Sequence, residues 1–315
     1  MNRKVKEMVT HIDPNELYII FGLFGLCFIL SFLSPVFLTV ANLSNVILQA
    51  SINATLACGM TFVIISGGID LSVGSVLALS GVVMGSVLKS DAPLFLALSS
   101  SLVIGALCGL INGLFITLGN LPPFISTLGM MSITRGAALF YTGGRSISGF
   151  KLNLLLLGNG MIFGIPILIV IMAVTYIIAF FVLKYTQLGR YTYAIGGNEE
   201  ATRLSGISIQ WYKTIVYVIS GLTAGIAAIM LTARLNSAQP IAGMTYELDA
   251  IAATVIGGTS LSGGEGKISG TIIGALIISV LRNGLNLLNV SSFIQQIVIG
   301  AVIIVAVLVD KAKKR

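Results

Sequence analysis

The sequence predicts an all-α polytopic membrane protein with about ten transmembrane helices, and three observations carry that prediction. Hydrophobic residues make up 56% of the 315-residue chain and charged residues only 9%, against roughly 25% charged in a soluble domain. The apolar residues come in runs of about 20, the length that crosses a bilayer as a helix. Glycine is abundant at 36 residues, as suits helices that associate in lipid through small side chains. A single globular core cannot hide this much apolar surface.

Taken in order, ten apolar spans fall at 17–33, 43–66, 71–89, 94–118, 123–141, 161–184, 214–233, 247–261, 268–289 and 292–309. The eighth is short and ends in a glycine-rich turn. It reads either as a span or as a broken, re-entrant segment, which makes the range eight to ten. The opening "MNRKVKEMVTHIDPNELYIIFGLFGLCFILSFL" has the basic-then-apolar order of a signal peptide. Its apolar run is long and no A-x-A site follows, so it reads as an uncleaved first span.

The net charge of +7 does not mark a nucleic-acid binder, because the basic residues gather at the ends and in one loop. With a cytoplasmic N-terminus, Arg3, Lys4, Lys6, Lys184, Arg190, Arg203, Lys213, Lys267, Lys311, Lys313, Lys314 and Arg315 lie inside. Only Lys89, Arg145, Lys151 and Arg234 lie outside. That asymmetry follows the positive-inside rule and puts both termini in the cytoplasm. The longest inner loop is 184–213, and the outer segments 142–160 and 234–246 are too small to be domains. Residues 1–315 therefore read as one transmembrane domain.

The apolar pattern is interrupted in an informative way at "SGGIDLSVGS", residues 66–75. Gly67, Gly68 and Gly74 permit a tight turn or unwound backbone. Asp70 and Ser72 can cap the helix that follows. Irregular backbone at membrane depth survives only where protein or water covers it, so Asp70 either caps a turn or lines an aqueous path. "GGIDLSVG" (67–74) and "GGTSLSGG" (257–264) share G-G-x-x-L-S-x-G. As a repeat, the pair predicts matching helix breaks in two halves, with Thr259 and Ser260 in the second.

Ionisable residues in spans are candidates for function; here they are Asp70, Arg135, Glu247, Asp249 and Arg282. The two arginines lie about two turns from the outer ends, within snorkelling reach of the interface. Asn53, Thr55, Thr61, Asn112, Thr117, Ser126, Thr127, Ser132 and Thr134 add hydroxyl and amide groups. They suit either an uncharged polyhydroxylated ligand or hydrogen-bonded helix contacts. Gly105, Gly109 and Gly113, with Gly221 and Gly225, read as close helix contacts.

Enzymatic chemistry is poorly provided for. The one histidine, His11, lies in the N-terminal tail, so no His-based dyad or His-rich metal site is expected. Cys27, Cys58 and Cys108 lack ligand spacing and read as packing residues. "GGEGKIS" (263–269) fails as a phosphate loop, having Leu261 where Gly is needed and Ile268 in place of Ser or Thr. No cofactor, metal or ATPase motif is expected.

The inner loop carries "NEEATRLSGI", 198–207. Asn198 can N-cap a short helix, Glu199 and Glu200 favour its first turn, and Gly206 ends it. A short mixed-charge helix projecting into the cytoplasm fits a groove on a partner.

Four segments taken together resemble the permease subunits of bacterial sugar ABC importers, the ribose-type permeases of the branched-chain amino acid and monosaccharide group. They are "GMTFVIISGGIDLSVGSVLALSG" (59–81), "GNLPPFISTLGMMSITRGAALFYTGGRSI" (119–147), "GRYTYAIGGNEEATRLSGI" (189–207) and "AIAATVIGGTSLSGGEGKISGTIIGALI" (250–277). The resemblance implies a multi-pass bacterial inner-membrane subunit that passes a small polar solute, a monosaccharide such as ribose, inward by alternating access. It implies two cytoplasmic ATPase subunits, an extracytoplasmic binding protein and a second permease copy, identical or related. It places ATPase docking in the coupling loop 185–213, on Asn198, Glu199, Glu200, Ala201, Arg203 and Gly206. The pathway or helix-break set is Asn53, Gly67, Gly68, Asp70, Ser72, Thr127, Thr259 and Ser260. The rival reading is an ion-coupled secondary transporter working without an ATPase.

Overall fold

The computed structural model describes residues 14–313; His11, the basic residues of the N-terminal tail, Lys314 and Arg315 lie outside them. Thirteen helices are present among the described residues. They are α1 (Pro14–Leu33), α2 (Val40–Ile65), α3 (Val73–Lys89), α4 (Leu94–Thr117), α5 (Pro123–Thr142), α6 (Leu152–Asn159), α7 (Ile167–Tyr185), α8 (Gln187–Gly197), α9 (Glu199–Leu204), α10 (Ile209–Leu235), α11 (Tyr246–Ile256), α12 (Ile268–Leu287) and α13 (Ser292–Lys313). Two small antiparallel pairs complete the order. β1 (Ile147–Ser148) pairs with β4 (Ser237–Ala238), and β2 (Met161–Ile162) with β3 (Ile165–Pro166).

Six helices, α2, α4, α7, α10, α12 and α13, are long and apolar enough to cross a membrane. α1 and α3 contain shorter apolar stretches, Leu17–Leu33 and Val73–Lys89. The sixth sequence span needs correction at its start. Residues 161–166 form a hairpin, with Phe163 at φ 50° and Gly164 at φ 80°. Two successive positive-φ residues make the turn that matches strand twist, and Pro166 then precedes α7. The eighth span is shorter than 247–261: α11 has 11 residues and stops before Gly257. It rises only about 16 Å, half the hydrocarbon thickness, too short to cross a bilayer by itself.

α2 is the central post. Every residue from Ala50 to Ser66 is buried, and Tyr176 of α7 donates its hydroxyl to the Ala54 carbonyl at 2.8 Å. α4 lies against α10 through glycine. A Cβ at Gly105 would strike the Gly221 carbonyl, and one at Gly109 the Tyr217 carbonyl. Gly113 meets the backbone of Thr214. The small-residue expectation therefore holds, and the approach is sealed by Ser101 Oγ donating to the Gly225 carbonyl at 2.9 Å. α2 and α12 are joined by a reciprocal amide pair, Asn42 with Asn283, at 3.0 and 2.8 Å. α7 and α13 bury few of their residues, the arrangement expected of helices that face lipid.

Candidate functional site

The break after α2 is built from its glycines. Gly67 sits at φ 80°, its amide donating to the Ile64 carbonyl at 2.9 Å and that of Gly68 to Val63 at 2.9 Å. This is a left-handed helix end that a Cβ would strain. The chain then runs irregularly to Val73. Asp70, with 1% of its surface exposed, organises that stretch. Its Oδ1 accepts the Ser72 amide at 2.9 Å and the Ser72 hydroxyl at 2.6 Å. Its Oδ2 accepts the Ser220 hydroxyl of α10 at 2.7 Å. Asn112 of α4 donates to Ser72 Oγ at 3.0 Å, and Thr127 of α5 donates to the Ile69 carbonyl at 3.2 Å.

The expectation for Ser72 is corrected by this geometry. Ser72 occupies the N-cap of α3 but makes no side-chain cap bond; its hydroxyl serves Asp70 instead. Asp70 accepts backbone two residues on, as aspartate does in an Asx turn, and ties the break to neighbouring helices. Its level is the middle of α10: the partner Ser220 lies about 16 Å along that helix. A buried carboxylate survives there because three donors, the Ser72 amide and hydroxyl and the Ser220 hydroxyl, reach its oxygens.

The second break has the same turn. Gly258 is at φ 90°, its amide donating to Val255 at 2.9 Å and that of Thr259 to Thr254 at 3.1 Å. The equivalence is therefore Gly67 with Gly258, one residue away from the sequence alignment, which pairs Gly67 with Gly257. Only the geometry of the left-handed residue, not the shared letters, defines the match. Thr259 and Ser260 are buried, and Thr259 Oγ1 has no hydrogen-bond partner among the described residues. Asn53 is buried on α2, 8% exposed, a dozen residues before the first break.

The two breaks meet. The Gly264 amide donates to the Ile65 carbonyl at 2.9 Å. Between them lies Gly196 of α8, where a Cβ would collide with both groups. Tyr193, one turn earlier, donates its hydroxyl to the Gly266 carbonyl at 2.7 Å. Sequence reasoning missed this junction, although the pair Gly196–Gly197 beside the coupling segment was its signal.

α8 leads directly into α9. Asn198 accepts the Ala201 amide at 2.9 Å as an N-cap, and Gly206 ends the helix at φ 79°, both as expected. Glu200 pairs with Arg203, and Glu199 with Lys213 of α10 at 2.5 Å. Beside α9 is a cleft of about 280 Å³ whose polar lining includes Asn120, Glu199, Arg203, Gln210 and Lys213. Leu204 projects with 80% of its surface exposed.

At the other end, the segment 239–245 tucks between helices. Arg135 of α5 donates to the carbonyls of Pro240 and Ala242, each at 2.7 Å. Gly243 abuts Gly74. Arg282 of α12 pairs with Asp249 at 2.8 Å and donates to Thr245 at 3.2 Å. Both arginines, which the sequence places within reach of the interface, are held by acceptors of the segment before α11 and of its first turn. Among the described residues no group of three or more His, Cys, Asp or Glu comes together.

Stacked apolar helices around a polar, glycine-broken interior define a class, that of a multi-pass membrane permease. The chain belongs to the family described as branched-chain amino acid transport system / permease component, whose profile matches residues 42–307. It is 50% identical to the ribose import permease protein RbsC of Haemophilus influenzae, over 90% of this chain and 88% of that one. It is also 50% identical to the protein of that name from Bacillus subtilis, over 93% and 91%. To the D-allose transport system permease protein AlsC of Escherichia coli it is 37% identical, over 98% and 97%. No solved structure matches it significantly.

Proposed function

We propose that this chain is the permease subunit of an ATP-driven importer, carrying a monosaccharide, with ribose the first candidate, across the bacterial inner membrane. The observation that carries the reading is the 50% identity to ribose import permeases along nine-tenths of the chain. On this reading the whole of 1–315 is one permease domain of eight to ten spans with both termini cytoplasmic, and 185–213 is its coupling loop. An ATPase subunit docks on α9 through Asn198, Glu199, Glu200, Ala201, Arg203 and Gly206. An extracytoplasmic binding protein delivers the sugar, and a second permease copy completes the path.

The chain's own residues supply the linkage. Movement of α9 moves α8, and Gly196 passes it by backbone contact to the end of α2 and to the loop after α11. Asp70, Ser72 and Thr127 then keep the first break docked on α4, α5 and α10 while the ends shift. Sugar in transit meets hydroxyl and amide groups rather than a deep well, which keeps release fast. Asn53, Gly67, Gly68, Thr259 and Ser260 are the groups assigned to that path or its breaks.

The test is co-purification of the tagged chain from its native membrane with identification of its partners. Recovery of a P-loop ATPase, lost with Glu200→Lys while membrane insertion persists, supports the reading. The buried carboxylates Asp70 and Asp249 favour one rival, an ion-coupled carrier. A chain that purifies alone and transports sugar in liposomes on an ion gradient establishes that rival.

A further inference from the structure

A second cavity, of about 560 Å³, lies between α7, α8 and α12, sharing no lining residue with the cleft beside α9. Its wall consists of Phe180, Leu183, Lys184, Arg190, Tyr193, Lys267, Ile268 and Ser269. Three of these are cations, from three separate segments, and none is a carboxylate; Glu265 is the nearest acid in sequence. Lys184 closes α7, Arg190 lies in the first turn of α8, and Ile268 opens α12. The cavity therefore sits where transmembrane helices start and stop. Its wall is graded by depth. Phe180 and Leu183 lie up to a turn deeper along α7 than Lys184, so the apolar surface continues toward the hydrocarbon while the charges stay at the rim.

Two further features mark this as the headgroup level of a bilayer. Phe180, Phe181 and Tyr185 form an aromatic cluster, with ring centroids 5.6 to 6.2 Å apart, like the belts found at membrane interfaces. Lys184 Nζ stands over the Phe180 ring at 5.0 Å and the Tyr185 ring at 5.5 Å, which leaves its charge at the rim with no ion-pair partner among the described residues. The N-terminal end of α12, with its partial positive charge, adds to the same field. Arg190 brings a planar fork that matches phosphate oxygens.

We propose that this cavity binds the phosphodiester headgroup of an anionic phospholipid from the cytoplasmic leaflet, with Lys184 and Arg190 as the phosphate ligands. One acyl chain follows the Phe180–Leu183 surface. Basic pockets between transmembrane helices on the cytoplasmic side are the places where such headgroups collect. The leaflet assignment rests on the cytoplasmic placement of residues 185–213 proposed above; the binding chemistry does not. A lipid here would sit against the α7–α8 corner and so steady the segment that carries α9.

The test is native mass spectrometry of the full chain in detergent, titrated with phosphatidylglycerol or phosphatidylcholine. Wild-type protein should retain phosphatidylglycerol and not phosphatidylcholine. Each cation lost near an anionic headgroup should weaken binding about fivefold, so K184Q/R190Q should weaken it about 25-fold. The charge-preserving K184R/R190K should bind nearly as wild type, which separates lost charge from lost folding. Equal binding of the two lipids, or unchanged binding by K184Q/R190Q, overturns the proposal. So does displacement of the lipid by excess inorganic phosphate, which marks a site for free anions. Loss of ATPase co-purification in K184Q/R190Q with lipid binding intact assigns the cavity to the partner protein and overturns it too. Absence of any ATPase from wild-type preparations counts against the importer reading alone, since lipid binding is measured without a partner.

Discussion

The Gly264 amide donates to the Ile65 carbonyl at 2.9 Å, joining the loop after α11 to the last turn of α2. Residues nearly two hundred positions apart thus share one turn of backbone, and Gly196 packs against both groups. The strip Gly67, Gly196, Gly263 and Gly264 has no side chains because backbone packs on backbone.

Gly196→Ala is the direct test of that junction. The new methyl meets the Ile65 carbonyl and the Gly264 amide, and overpacking of this kind costs about 1–3 kcal/mol. Thermal stability in detergent should fall by several degrees, at about 2–4 °C per kcal/mol, and sugar uptake should fall at least about tenfold. Gly197→Ala is the control: its Cβ has nothing within 4 Å, and both measurements should stay near wild type. Equal effects of the two substitutions would remove the junction's special role.

Asp70 should tolerate an amide better than deletion. In Asp70→Asn one oxygen still accepts from Ser72, and the Ser220 hydroxyl can turn to accept from the new NH₂. Transport should fall only moderately, about twofold to tenfold. Asp70→Ala leaves Ser72 and Ser220 without their acceptor, at about 1–3 kcal/mol per stranded group. It should lower the melting temperature clearly further than Asp70→Asn. The reverse order in transport, with Asn as damaging as Ala at unchanged stability, would assign the carboxylate's charge to the path itself.

The pair Asp249–Arg282 predicts strong coupling. Asp249 has 1% of its side chain exposed and Arg282 21%. Removing one partner strands a buried charge at about 3–5 kcal/mol, so Arg282→Leu should be poorly stable. Arg282→Leu with Asp249→Leu should recover much of the loss. A double-mutant cycle on melting temperature measures it, and simple additivity would refute the pairing.

Orientation can be read with a membrane-impermeant thiol reagent after the native cysteines are replaced. Ser205→Cys, at the end of α9, should label only from the cytoplasmic side. Ser146→Cys, next to β1, should label only from outside. The opposite pattern would invert the topology and move the cavity at Lys184 to the other leaflet.

Helix placement was readable because membrane thickness imposes a length and apolar residues must match it. α2, α4, α5 and α12 fall close to the spans drawn from the sequence. The errors came where backbone turns overrode hydropathy: the Phe163–Gly164 hairpin inside the sixth span, and Gly257–Gly258 cutting the eighth. Asn198 and Gly206 were also legible, because helix caps are local chemistry read from residue type.

What the sequence by itself determined is the membrane class, the short capped helix at 198–204, the glycines of α4 and α10 as helix-contact positions, and the existence of two glycine breaks. What only the tertiary structure decided is where Asp70, Arg135 and Arg282 turn, which glycines are equivalent in the two breaks, and that Gly196 lies between them. Length and capping act within a few residues, so composition reveals them. A buried side chain instead takes whatever partner a distant helix brings within 3 Å, and a single sequence carries no record of that meeting.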